Sequence, residues 1–246
     1  MSKASAATAG ASQPGAAPVR NSTLDLATMS VRELNQRLHD LDPSDASRWR
    51  ITNPGGAHSV AVGLDAPVEV EIDGHVGYYC AGMNKRATVR VRGNASTGLA
   101  ENLMSGTVVL EGNAGQSAGA TGRGGLLLVR GDAGARCGIS MKGVNIVVGG
   151  SVGHMSAFMA QRGVLVVCGD AGDGLGDSIY EAHVYVRGEV AGLGADCVEK
   201  EMRDEHREEL GRLLELAEAG HEVGEFRRYG SARKLYNFDV DNAGEY

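Results

Sequence analysis

The sequence predicts an all-β core: a right-handed parallel β-helix of about seven 19-residue coils, with flanking capping α-helices. Three observations carry this. First, Gly74, Gly93, Gly112, Gly131, Gly150, Gly169 and Gly188 stand 19 residues apart without an insertion. Second, the columns around them share one chemistry. Two residues before each glycine stand Ile72, Val91, Leu110, Val129, Val148, Val167 and Val186, and four before it Val70, Val89, Val108, Leu127, Ile146, Leu165 and Val184. Third, thirty of the 37 glycines lie between Gly55 and Gly194, so the excess belongs to the repeat and not to a disordered tract.

The first element in order is a tail over 1–20. It is rich in small and polar residues, is expected to be disordered, and lacks the continuous apolar stretch of a secretory signal. A helical segment follows over 21–50. Ser30-Val31-Arg32-Glu33 has capping-box spacing and opens a helix to about Asp40, with Leu34, Leu38 and Leu41 as its apolar stripe. The β-helix is expected over 51–200, with Arg50 to Ala66 as an incomplete lead-in.

Within a coil, alternation with period two marks a strand whose minus-four and minus-two residues face inward. Gly suits a tight corner with positive φ. The residues just after it (His75, Asn94, Asn113, Asp132, Ser151, Asp170, Glu189) suit a solvated turn. Nineteen residues cannot hold two helices, but they hold short strands and bends, each coil pairing with the next. The outward column changes character along the chain. It reads Glu71 and Arg90, then Val109, Leu128, Val147 and Val166. Four stacked apolar residues on an outer face need cover, from the terminal segments or from a partner protein.

The last segment, 201–246, holds a C-terminal helix and an aromatic, basic arm. The helical pattern starts at Asp196 and runs to Ala219, with Val198, Met202, Leu210, Leu213 and Ala217 as a broken stripe and Gly220 as the stop. Its acidic side, Glu199 to Glu209, reads as a solvated face. The arm mixes Arg227, Arg228, Arg233 and Lys234 with Phe226, Tyr229, Tyr236 and Phe238. It is expected to pack on the prism or on a neighbouring subunit. Helices at both ends would shield the open core and the strand edges.

Little in the sequence carries chemistry. A net charge of −7 argues against nucleic acid as a partner, and no apolar run reaches the ~18 residues of a membrane span. Cys80 and Cys137 share one repeat position three coils apart, about 14 Å, too far for a disulfide. His58, His75, His154 and His183 show no metal-ligand spacing. The glycine strings lack the strand–helix context of a phosphate loop. Neither catalytic, cofactor-binding nor metal residues are therefore assigned. Lys85, Arg123 and Lys142 each follow a column glycine by eleven residues and could face an acidic partner.

These coils resemble the GXGXG β-helix domain at the carboxyl end of the large subunit of glutamate synthase, over roughly Ile51 to Tyr229. The seven-glycine column, Val129-Arg130-Gly131-Asp132-Ala133-Gly134 and the acidic helix with Glu201-Met202 carry the resemblance. Tyr229-Gly230-Ser231-Ala232 resembles the family's Thr-Gly-Ser stretch, with Tyr in place of Thr. The chain has no room for an amidotransferase or a synthase barrel. It is similar to the stand-alone GlxC-type subunit of N-methylglutamate synthase.

The resemblance implies a noncatalytic structural subunit in the cytoplasm. Its partners would be an FMN-dependent glutamate-synthase-like subunit and a class II glutamine-amidotransferase-like subunit. FMN and an iron–sulfur cluster would sit in a partner and none on this chain. The complex would convert methylamine and glutamate to N-methylglutamate and ammonia. Val109, Leu128, Val147, Val166, Lys85, Arg123, Lys142, Arg227, Arg228 and Tyr229 are the interface candidates. A stand-alone β-helix interaction protein and the C subunit of a formylmethanofuran dehydrogenase-like complex are the alternatives.

Overall fold

The computed structural model describes residues 20–42 and 47–235, with Arg20 described by its backbone alone. The expected tail up to residue 19, and Tyr236 and Phe238 of the arm, lie outside the described residues. What is described forms one sheet of eleven strands wound as a parallel β-solenoid.

Strands β3 (Glu69–Ile72), β4 (Thr88–Val91), β5 (Thr107–Leu110), β6 (Leu126–Val129), β7 (Lys142–Val148), β8 (Arg162–Val167) and β9 (His183–Val186) pair in parallel, each with the next. The register follows the period: Val70 faces Val89, which faces Val108, Leu127, Ile146, Leu165 and Val184 in turn. The inward columns predicted from alternation are the core, and each of these seven residues is buried. A second line of bridges runs from Val76 through Ala95, Ala114, Ala133, Val152 and Ala171 to Val190. Small residues there let the opposite wall approach.

The corners differ from expectation. Of the seven column glycines, Gly74 alone has positive φ, at +134°. The others are required by space. A Cβ on Gly93 would lie 2.6 Å from the carbonyl carbon and oxygen of Gly74. Successive glycines stack so closely that N–H of Gly112 donates to O of Gly93, and Gly131, Gly150, Gly169 and Gly188 continue the chain at 2.8–3.1 Å. The polar column beside them is more than a solvated turn. Asn94, Asn113, Asp132, Ser151 and Asp170 each accept, through a side-chain oxygen, the N–H of the residue one coil on. His75 Nδ1 begins the ladder by accepting from Asn94 N–H.

Positive φ occurs elsewhere, at every second residue of the arc beyond the bridge. Tyr79, Ala81 and Met83 are followed one coil on by Gly98, Ala100 and Asn102, and the pattern continues to Gly174, Gly176 and Ser178. The N–H groups of successive left-handed residues point to opposite neighbouring coils. Ala100 donates back to Cys80 O and Asn102 donates forward to Ala120 O. Left-handed torsions cost a non-glycine residue about 1–2 kcal/mol each. The hydrogen bonds to both neighbouring coils offset that strain.

Each end is closed by its own chain. Strand β1 (Arg20–Asp25), unforeseen in the sequence, adds in parallel to β2 (Ser47–Thr52), which pairs with β3. Between them α1 (Val31–His39) starts at the predicted capping box, with Glu33 N–H donating to Ser30 Oγ and Ser30 N–H to Glu33 Oε2. Leu34 and Leu38 plug the open core. Asn35 then stands in for a missing coil. Its Nδ2 donates to Ser59 O, and its Oδ1 accepts from Ala61 N–H.

At the other end, the chain expected to begin a helix at Asp196 is instead strand β10 (Cys197–Lys200). It is extended because β11 (Arg227–Ser231) returns antiparallel and inserts between β9 and β10. Helix α2 is correspondingly shorter, Asp204–Leu216, with positive φ at Glu218 and Gly220 beyond its end. No helix among the described residues is long and apolar enough to cross a membrane.

Candidate functional site

The outward apolar column is covered from within. Leu210, Leu213, Leu214 and Ala217, with Phe226, pack on Val109, Leu128, Val147 and Val166, none of which is more than 6% exposed. These four interface candidates are thus corrected: they seat α2. The column's switch from charge to apolar residues marks where the helix lies. Ahead of the switch the same column faces water and forms ion pairs between coils, Glu71 with Arg92 at 2.8 Å and Arg90 with Glu111. Arg130 fastens the helix end by donating to Ala217 O, a cation at a helix C-terminus.

Tyr229 is likewise corrected, since its side chain is buried in the coil core. Arg227 is exposed and donates to Gly188 O at 2.8 Å, the last carbonyl of the glycine chain. Lys85 pairs with Asp65 at 2.9 Å. Arg123 and Lys142 lie exposed on neighbouring coils, and Arg162, the register partner of Lys142, extends them into a basic stripe.

Arg228 belongs to a polar groove of about 500 Å³ between the first turns of α2 and strands β9, β10 and β11. His183, His206 and Glu209 line it, and Tyr185, fully buried, supports Glu209. Tyr185 Oη donates to Glu209 Oε1 at 2.7 Å, and His183 Nδ1 lies 2.8 Å from the same oxygen. Burial opposes charge on Glu209, but the hydrogen bonds from His183 and Tyr185 prevail and hold its carboxyl below the usual range. Burial, and then the bond to Glu209, push the Tyr185 phenol up.

His206 accepts Arg203 N–H at Nδ1 and meets the His183 ring edge-on, 5.2 Å between centroids. Burial, then the nearby Arg228 and His183 charges, lower its pKa. His206 and Glu209 escape the sequence analysis because the acidic side reads as solvated throughout, whereas His206 is buried and Glu209 half-buried. The signal was present: His206, Leu210, Leu213 and Ala217 follow helical spacing and share the buried face.

The four thiols are all buried and free. Burial pushes Cys80, Cys137 and Cys197 up to about 12 and Cys168 to about 11, so they are not nucleophiles near neutrality. Among the described residues no group of three or more His, Cys, Asp or Glu side chains is arranged to hold a metal ion. The acidic stretch after Gly169 is used structurally. Asp170 is in the ladder, Asp177 accepts Ala195 N–H, and Glu181 grips Arg233 at 2.8 Å.

No protein-family model matches the chain. Among curated proteins, it is 60% identical over 225 residues to Protein GlxC of Rhizobium meliloti strain 1021, an alignment covering 91% of this chain and 99% of that protein. The chain belongs to the GlxC family.

Proposed function

We propose that the chain is a noncatalytic structural subunit of a glutamate-synthase-like complex, specifically N-methylglutamate synthase. It would position an amidotransferase-like subunit against an FMN-dependent synthase-like subunit. The observation that carries this reading is the near-full-length identity to a protein named GlxC. The seven-coil glycine column, which resembles the GXGXG domain of glutamate synthase, supports it.

The side chains argue the same way. Those able to do chemistry are spent on folding: the thiols fill the core, and His183 with Glu209 holds α2. The separated, protonated thiols do not fit an iron–sulfur cluster, which the reading places, with FMN, in a partner. What the prism offers is dimension and stiffness. Seven strands about 4.8 Å apart set two ends roughly 30 Å from each other. Transfer of ammonia or methylamine between two sites depends on their fixed relative position. With the apolar column covered, the basic stripe of Arg123, Lys142 and Arg162 is the docking face best suited to an acidic partner.

The test is native purification with identification of stoichiometric companions. The expected result is one synthase-like and one amidotransferase-like protein, with recovery of at least one reduced about tenfold by R123E/K142E. Recovery of neither companion counts against the complex and favours a stand-alone interaction protein. Molybdenum- or tungsten-containing companions favour the formylmethanofuran dehydrogenase-like alternative.

A further inference from the structure

We propose that the groove between the N-terminal turn of α2 and the β10–β11 ribbon binds a small carboxylate anion through Lys200 and Arg228. This assignment stands independently of the complex proposed above. Lys200 and Arg228 are directly opposed in the antiparallel register of β10 and β11. Side chains so placed share one face with Cβ atoms about 4.5–5.5 Å apart, and like charges there repel. A folded chain commonly answers such a pair with a carboxylate of its own.

Here the carboxylates lining the groove are engaged elsewhere. Glu209 serves His183 and Tyr185. Glu205 lies 3.5 Å from Arg203 and 3.6 Å from His206. Glu181 gives both oxygens to Arg233. Among the described residues, Lys200 and Arg228 reach only backbone oxygens. Lys200 Nζ donates to Ser231 O at 2.9 Å and Arg228 Nη1 to Glu201 O at 3.1 Å. Arg228 Nε is buried without a hydrogen-bond partner.

The guanidinium is thus partly desolvated with no anion from the described residues beside it, an arrangement that is costly alone and favourable once paired. A carboxylate bridging it to the Lys200 ammonium compensates both charges, with charge-assisted hydrogen bonds to each. The volume of about 500 Å³ exceeds what a bare inorganic ion needs and lies in the range of small-molecule sites. The ligand class is therefore an organic acid whose carboxylate sits on the two cations and whose remainder lies against α2.

The test is an NMR titration of the full chain with glutarate, with inorganic phosphate as the comparison anion. The expected result is a saturable shift of the Arg228 Nε–Hε resonance with a Kd below about 10 mM, and a melting temperature that rises with glutarate. Lys200→Met should weaken binding about tenfold, while Lys200→Arg retains it and Lys142→Met, outside the residues that line the groove, leaves it unchanged. Absence of a saturable shift overturns the site. So do undiminished binding in K200M, or equal loss in K142M. Phosphate binding tighter than glutarate overturns the carboxylate assignment. If K200M does not fold, Arg228→Lys decides: loss of the planar fork should weaken glutarate about tenfold, and unchanged affinity refutes the proposal.

Discussion

Gly93 is fixed by its neighbour and not by its torsion. Because a Cβ there would enter the Gly74 peptide, Gly93→Ala should force the two coils apart and destabilise the chain by roughly 1–3 kcal/mol in urea unfolding. Gly224→Ala, with nothing within 4 Å of its Cβ and no positive φ, should change stability by less than about 0.5 kcal/mol. Equal effects would remove the steric explanation. Asn113 illustrates a different use of a corner. Its Oδ1 takes the Asp132 N–H at 2.8 Å, so Asn113→Ala should cost about 0.5–1.5 kcal/mol and Asn113→Asp much less.

At the scale of an element, α2 is held by an apolar seat and a titratable latch. Val147→Asp would bury an unpaired charge beneath it. The helix should detach, becoming sensitive to protease within 204–216, while amide exchange in the coils stays slow. A uniformly unfolded variant would mean that coils and helix form one cooperative unit. The latch responds to acid. His206 has a lowered folded-state pKa, so its contribution is fully present above the ordinary value near 6.5 and is lost as pH falls through the folded value. Glu209, also lowered, follows the same sign below 4.5. Helix docking should therefore weaken below about pH 6.5, through His206 first. His206→Leu should flatten that upper part of the profile, and an unchanged profile would exclude His206 as the group responsible.

For the whole molecule, stability is close to a sum over stacked neighbours. This explains how much was readable in advance. A period of 19 places each residue over its counterpart, so core columns, register and the outward switch to apolar residues follow from spacing alone. The rest depended on contacts between distant segments. Arg20–Asp25 reads RNSTLD, with no alternation to announce β1. Cys197–Lys200 is a strand because β11 lies beside it, and an isolated reading gives helix. Positive φ at Ala, Ser and Met positions leaves no mark in composition. The groove joins α2, β9, β10 and β11 across some fifty residues, and no local motif encodes that meeting. What spacing does encode is the seven-coil prism itself.

The stacked glycine corner has an electrical consequence. From Gly112 to Gly188 each N–H points back and each carbonyl points forward, and the side-chain ladder beside it donates in the same sense. Across the strands and arcs the peptide dipoles alternate and largely cancel. Along this one edge they add, so the prism is polarised like a single long helix, negative at its C-terminal end. The Arg227 guanidinium sits on that pole, at Gly188 O. Arg227→Ala should leave the pole bare and lower stability by about 0.3–1 kcal/mol at low ionic strength, a loss that fades as added salt screens the field.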